Sequence, residues 1–238
     1  MLTKYEYKAR YAPMMLIFVP VFFVAGIFSI ELKSFLPVAL GSVFPTILPF
    51  FMAQVGRDRG KKLEPALWLE WGGMPSIQVL RWRDKTINVL TKAALHEKLQ
   101  RLRPVDVPPT VTIEQNDPAH ADTIYEAWSD YARMNTRDTK ENPLVFRELM
   151  NYGFRRNMLG LKGPAVVVLF LTGGAVYGAS AGRRHSFDPL DFPPTFMYAA
   201  IGLLLVLLIW LALVNKNWVK LVSFEYAKRL YEAASKLQ

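Results

Sequence analysis

The chain contains no cysteine and only three histidines among its 238 residues. Structural disulfides and thiolate metal sites are therefore excluded. Because His96, His120 and His185 are far apart in the sequence, a histidine-rich metal cluster is not expected. His96 is predicted to lie on the polar side of a basic helix, exposed to solvent. The sequence thus predicts neither a metal site nor a cofactor.

Motifs of the common enzyme classes are also missing. The chain has no Walker loop, no GxGxxG after a strand, no HExxH and no GxSxG. Its acidic residues do not form an aspartate-rich pattern of the kind that binds magnesium and diphosphate. No catalytic residue is therefore predicted, and a non-enzymatic protein is favoured over an enzyme.

Charge is missing from four long apolar runs, which lie in two pairs at about 13–54 and 164–214. A bilayer core about 30 Å thick needs about 20 apolar helical residues to cross it, and each run has roughly 17–21. The sequence therefore predicts four membrane spans. They are residues 13–30, 35–54, 164–182 and 195–214.

The uncharged spans exclude several functions. Proton relays, ion-coupled transport and intramembrane proteolysis usually need an ionisable residue inside a span, and these four runs have none. A cleaved signal peptide is the alternative for the first run. It is disfavoured because the run is longer than the about 7–15 residues of a signal h-region and has no clear small-x-small site.

Lysine and arginine are distributed unevenly around the spans, with a net charge of +9. They gather in the N-terminal tail, at both ends of the middle region and after the last span. The positive-inside rule then places both termini and the middle region in the cytoplasm of a multi-pass bacterial inner-membrane protein. Arg183 and Arg184, in the second short loop, oppose this bias.

The predicted fold is all-α, with four transmembrane helices arranged as two hairpins. Asp117–Pro118 and Asn142–Pro143 are predicted helix starts, whereas the prolines of 104–115 predict an extended linker. Gly160 and Gly163 are expected to break the chain before the third span. The predicted segments are a tail at 1–12, hairpin 1 at 13–54, a mainly helical cytoplasmic domain at 55–163, hairpin 2 at 164–214 and a C-terminal amphipathic helix at 215–238.

Three glycines recur every four residues in the third span. Gly174, Gly178 and Gly182 therefore share one helix face, with Ala175 and Ala179 beside them. Small residues in this pattern predict a face where another helix backbone approaches closely. Packing against a neighbouring span of the same chain is favoured, and a homo-oligomeric interface or a pore-lining helix is the alternative.

Two clusters of basic and aromatic residues are the candidate ligand-binding sites. The first comprises Arg81, Trp82 and Arg83, and the second comprises Tyr152, Arg155 and Arg156. Guanidinium groups bind phosphate bidentately and aromatic rings stack on bases, so either cluster fits an anionic ligand or an acidic partner. For Arg155 and Arg156, contact with lipid headgroups is favoured because they lie just before a span.

The favoured function is a non-enzymatic inner-membrane protein whose cytoplasmic domain binds a ligand or partner, as a membrane effector in a signalling or defence pathway does. The alternatives are a small channel or transporter subunit, and a membrane-bound enzyme acting on lipid. The predicted partners are a bilayer with anionic headgroups, a second copy of the chain, and an anionic ligand or acidic protein. Nucleic acid is disfavoured, because the membrane-flanking residues account for the basic charge.

Overall fold

The structure is a computed structural model that describes the backbone of residues 3–31, 33 and 36–237, and the side chains of the same residues except 36–52. It is all-helical, with 80% of it in helices, and the described residues contain no strand. The predicted all-α class is therefore confirmed.

The helices follow one another with short connections. Their bounds are α1 (Lys4–Glu6), a π-helical turn (Tyr7–Tyr11), α2 (Ala12–Ile17), α3 (Val19–Glu31), α4 (Leu36–Trp71), α5 (Pro75–Gln78), α6 (Val89–Leu102), α7 (Val111–Asn116), α8 (Pro118–Asn135), α9 (Pro143–Arg184), a 3-10 turn (Pro189–Asp191), α10 (Pro194–Leu213) and α11 (Lys216–Ala234).

Two of the described helices, α9 and α10, are long and apolar enough to cross a membrane. A third segment meets the same test of length and composition if the helical stretches Lys4–Ile17 and Val19–Glu31 are counted as one bent span. The most apolar window of α10 has a mean hydropathy of 2.6, and many of its large apolar side chains are exposed, as suits a helix surrounded by lipid. The predicted span at 35–54 begins α4, where the side chains of 36–52 lie outside the described residues, so four spans remain a prediction.

The first predicted span is bent. The axes of the helical stretches Lys4–Ile17 and Val19–Glu31 differ by 47°, and the break falls at Phe18, between α2 and α3. Pro20 lies two residues after this break, and a proline inside a helix lacks the N–H that would bond to the preceding turn. The bend therefore has a local cause in the sequence.

The chain divides into two compact units. We call Met1–Leu63 with Gly153–Trp218 the apolar unit, and Glu64–Tyr152 with Val219–Gln238 the polar unit. Most of α11 thus contributes to the polar unit, although its first residues belong to the apolar unit. Helices α4 and α9 likewise have residues in both units.

Within the apolar unit, α4 and α9 cross at two glycines. A Cβ atom added to Gly160 would lie 2.7 Å from the backbone nitrogen of Gly60, so no side chain fits at this position. The expected chain break at Gly160 and Gly163 is wrong, because α9 continues through both residues and through Pro164. Gly160 therefore allows the two helices to cross closely and does not form a turn.

The polar unit is built around α8, whose Tyr125 and Trp128 side chains are fully buried. The predicted start of α8 is confirmed, since the side chain of Asp117 accepts a hydrogen bond from the backbone N–H of His120 at 3.0 Å. The expected linker at 104–115 is partly wrong, because α7 begins at Val111. The prolines all precede Val111, so they do not prevent this short helix.

Candidate functional site

Arg81, the first residue of the first predicted cluster, is held by an ion pair within the polar unit. Its Nε and Nη2 atoms donate to the two carboxylate oxygens of Asp122 at 2.8 and 2.7 Å. Its Nη1 atom donates to the backbone carbonyl of Gly72 at 2.6 Å, and the side chain is only 11% exposed. These bonds fix the segment after α5 against α8 and against the turn that ends α4, which gives Arg81 a structural role. Its role in ligand binding stays a prediction.

Trp82 and Arg83 are anchored by the buried carboxylate of Glu114. That carboxylate accepts hydrogen bonds from the backbone N–H of Trp82 and the hydroxyl of Tyr125, both at 2.7 Å. The indole N–H of Trp82 donates to the carbonyl of Pro109 at 2.7 Å. The guanidinium of Arg83 lies 3.5 Å from Glu114 and is 51% exposed. Arg83 is therefore the member of this cluster with the most surface available to a ligand.

His96 lies in the core of the polar unit, so the prediction that it is exposed to solvent is wrong. It is 6% exposed, and its Nε2 atom lies 2.8 Å from the carbonyl oxygen of Leu80. The rings of Trp82, Trp128 and Tyr125 surround it, with centroids at 4.5, 5.3 and 5.5 Å. Burial lowers the pKa of His96 to about 4. Near pH 7 the imidazole is neutral, and its Nε2–H donates to Leu80.

Lys92, one turn before His96, is a second buried basic side chain. Its Nζ atom donates to the carbonyl oxygens of Arg81 and Asp84, both at 2.5 Å. Burial lowers the pKa of this amine, while the nearby carboxylates of Asp84 and Glu114 raise it. Lys92 thus provides a partner for the carbonyl of Asp84 and a second one for the carbonyl of Arg81, which also accepts from the backbone N–H of Asp84 at 3.1 Å.

The second predicted cluster is divided between the two units. Tyr152 belongs to the polar unit, where its hydroxyl donates to Glu64 at 2.8 Å. Arg155 belongs to the apolar unit, where its guanidinium lies 4.8 Å from the centre of the Trp218 ring and donates to the Trp218 carbonyl at 2.9 Å. Arg156 is buried beside Asn157 in the same unit. Binding of headgroups or of a ligand by these residues remains a prediction.

Lys162 and Arg155 together hold the junction between α10 and α11. The Nζ atom of Lys162 donates to the carbonyls of Leu211 and Val214 at 3.0 and 2.8 Å. A cation at the end of a helix satisfies its last carbonyls and interacts favourably with its dipole. Lys162 therefore stabilises the backbone where α10 ends, whereas Arg155 bonds to a carbonyl in the first turn of α11.

The predicted glycine face makes no close contact with any side chain that the structure describes. A Cβ atom added at Gly174, Gly178 or Gly182 would have no neighbour within 4 Å. Close packing of this face, whether within the chain or with a second copy, stays a prediction.

A groove of about 580 Å³ lies between α6 and α11 in the polar unit. We call it the α6–α11 groove. Its apolar walls include Ile87, Ala94 and Leu95, and its rim carries hydroxyl groups such as those of Thr91 and Ser235. This volume falls within the about 300–1,000 Å³ of ligand pockets. No sequence pattern predicts this groove, because its two sides come from segments more than a hundred residues apart.

The α6–α11 groove has an excess of positive charge, with four basic and two acidic side chains on its lining. Lys228 pairs with Glu225 at 3.1 Å, and Arg229 pairs with Glu232 at 2.6 Å. Lys98 has no ion-pair partner among the residues that the structure describes. Arg101 lies 3.8 Å from Glu97, and both of these side chains are largely exposed, so their pairing is weak.

Apolar walls with two available cations at the rim fit an anionic ligand that also has an apolar or aromatic part. Among the described residues, no group of three or more His, Asp or Glu side chains is placed to hold a metal ion. Comparison with known proteins finds no matching family model, no matching curated protein and no matching solved structure.

Proposed function

We propose that the chain is a non-enzymatic protein of the bacterial inner membrane whose polar unit lies in the cytoplasm and binds an anionic small molecule. The α6–α11 groove, with its apolar walls and the side chains of Lys98 and Arg101 at its rim, is the observation that carries this proposal. The protein has four spans with both termini in the cytoplasm. The basic residues around the polar region support this orientation.

The path from ligand to membrane begins at α11. This helix forms one side of the groove, and only Val214 and Asn215 separate it from α10. Lys162 and Arg155 hold the backbone at that junction. A ligand that draws α6 and α11 together therefore acts on a helix directly linked to a membrane span. This arrangement suits a membrane effector in a signalling or defence pathway.

A thermal-shift experiment on the full-length protein in detergent tests the proposed site. Adenosine monophosphate serves as an anionic probe with an aromatic part, and inorganic phosphate serves as a probe without one. We expect the monophosphate to raise the Tm in a concentration-dependent way, because a ligand that binds only the folded state stabilises it. Inorganic phosphate at the same concentration is expected to have a smaller effect.

The double variant Lys98→Gln with Arg101→Gln should need at least a tenfold higher monophosphate concentration for the same rise in Tm, since two charge-assisted contacts are lost. Arg137→Gln with Lys140→Gln removes the same charge from exposed positions outside the groove, so it is the matched control. Equal responses of both double variants would contradict binding in the groove.

A further inference from the structure

A second groove lies in the apolar unit, between α3 and α9, and has a volume of about 750 Å³. We call it the α3–α9 groove. Its α3 wall includes Val21 and Val24, and its α9 wall includes Leu171, Ala175 and Ala179. The two alanines leave it open, because their side chains are too short to fill the space between the helices. The groove is apolar along its length, so it offers few hydrogen-bond partners to water.

One end of the α3–α9 groove carries a cation, Arg183. Its guanidinium lies 4.8 Å from the centre of the Phe28 ring and 3.2 Å from a carboxylate oxygen of Glu31. The other oxygen of Glu31 accepts a hydrogen bond from the hydroxyl of Thr195 at 2.9 Å. Glu31 and Phe28 thus hold Arg183 at the mouth of the groove. The side chain is still 40% exposed, and a guanidinium has five N–H donors, so further acceptors can bind to it.

The charge at this end of the apolar unit is unusual for its place in the chain. Arg183 and the exposed Arg184 adjoin a short loop that the positive-inside rule places outside the cell, where basic residues are normally scarce. Arg184 forms no ion pair with any described residue. Lipid phosphate is an anion available at this depth of a bilayer, and guanidinium groups bind phosphate bidentately.

The dimensions of the groove also match a lipid chain. Its α9 wall extends from Val168 to Arg183, which at about 1.5 Å per helical residue is about 22 Å. One leaflet of a bilayer has a hydrocarbon depth of about 15 Å, half of the core thickness. The wall is therefore long enough to accompany an acyl chain through one leaflet, with the cation at the level of the headgroup.

We propose that the α3–α9 groove holds an acyl chain of an anionic membrane phospholipid, and that Arg183 binds its phosphate. The occupant is apolar along its length and anionic at one end, as the groove is apolar along its walls and cationic at one end. The bound lipid fills the space between α3 and α9 that the alanines leave open. This inference is independent of the ligand site in the polar unit.

Native mass spectrometry of the full-length protein tests the lipid site. The protein is purified in detergent, stripped of lipid, and offered palmitoyl-oleoyl phosphatidylglycerol or the uncharged palmitoyl-oleoyl glycerol. We expect one phosphatidylglycerol per chain to be retained at least tenfold more strongly than the uncharged lipid. Ala179→Phe fills the groove and should lower retention at least tenfold. Leu208→Phe adds bulk on an exposed position of α10 outside the groove and should leave retention unchanged.

Arg183→Gln should abolish the preference for the charged lipid. Arg137→Gln removes one exposed guanidinium from the polar unit, outside the groove, so this matched control should retain the preference. Equal retention by the wild type, Ala179→Phe and Leu208→Phe would overturn the groove as the site. Equal retention of both lipids by the wild type would overturn the role of Arg183. This comparison uses only the wild-type protein, so it does not depend on whether a variant folds. A lipid-free dimer that Ala179→Phe dissociates would show that a second copy of the chain occupies the groove instead.

Discussion

The imidazole of His96 and the indole of Trp82 pack edge to face, with ring centroids 4.5 Å apart and planes at 64°. The contact joins α6 to the segment that carries the first predicted cluster, in the core of the polar unit. Two further aromatic rings, those of Tyr125 and Trp128, lie within 5.5 Å of the imidazole. A protonated histidine has poor solvation here, and its Nδ1 atom has no hydrogen-bond partner among the described residues.

This packing predicts that the polar unit loses stability in mild acid. The folded pKa of His96 is about 4, below the ordinary 6.5, so the unfolded state takes up the proton first. The contribution of His96 is complete above about pH 6.5 and falls as the pH drops towards 4. The loss of unfolding free energy at pH 5 is about 2 kcal/mol. Urea unfolding of the full-length protein, followed by tryptophan fluorescence at pH 7 and pH 5, measures it.

The variants His96→Gln and His120→Gln separate this effect from general acid denaturation. His96→Gln should flatten the pH dependence between pH 7 and 5, whereas the exposed His120 should contribute little. The prediction fails if both variants keep the full pH dependence of the wild type.

The two arginines of the first cluster should behave differently when they are replaced. Arg81→Ala leaves Asp122 without its bidentate partner and is expected to lower the unfolding free energy by about 1–3 kcal/mol. Arg83→Ala removes a half-exposed side chain, while Glu114 keeps its bonds to Trp82 and Tyr125, so a loss below about 1 kcal/mol is expected.

Chemical unfolding of the two variants under the same conditions compares these losses. A larger loss for Arg83→Ala than for Arg81→Ala would contradict the structural role of Arg81. Because Arg83→Ala should preserve the fold, it is the better variant for testing whether this cluster binds an anionic ligand.

Close helix packing in the apolar unit should depend on Gly160 rather than on the predicted glycine face. A Cβ atom at Gly160 meets the backbone of α4 at 2.7 Å, so Gly160→Ala must push the two helices apart. We expect the free energy of unfolding to fall by about 1–3 kcal/mol, as it does in overpacked cores, and the folded yield in detergent to fall with it. Gly178→Ala is the matched control, since its Cβ meets no described atom within 4 Å.

Size-exclusion chromatography of both glycine variants gives folded yield and oligomeric state together. Unchanged yield for Gly160→Ala would be at odds with the crossing of α4 and α9. A change of oligomeric state for Gly178→Ala would instead support the predicted interface along Gly174, Gly178 and Gly182.

Local signals predicted the helices well, and tertiary contacts account for the errors. The Asp117–Pro118 start of α8 depends on a cap beside it in the sequence, so it could be read directly. The sequence places His96 on the wrong side of α6, because the aromatic rings that bury it come mainly from α8 and from the segment before α6. Gly160 resembles a helix stop unless the close approach of Gly60 is known.

Binding surfaces were harder to predict than helices. The sequence shows Arg81 and Arg83 as charge beside an aromatic ring, but their carboxylate partners, Asp122 and Glu114, are more than thirty residues away. The α6–α11 groove joins residues near 86–101 to residues near 225–235, and no periodicity connects these segments. Hydropathy identifies the helices that can enter a membrane, but it does not identify the space between α3 and α9.

The absence of cysteine makes the proposed topology directly measurable, since a single introduced thiol is the only one that a maleimide can label. Leu190→Cys places a thiol in the exposed loop between α9 and α10, and Glu97→Cys places one on the exposed surface of the polar unit. A membrane-impermeant maleimide applied to intact bacterial cells should label Leu190→Cys and should label Glu97→Cys only after permeabilisation. Labelling of Glu97→Cys in intact cells, with Leu190→Cys protected, would contradict a cytoplasmic polar unit.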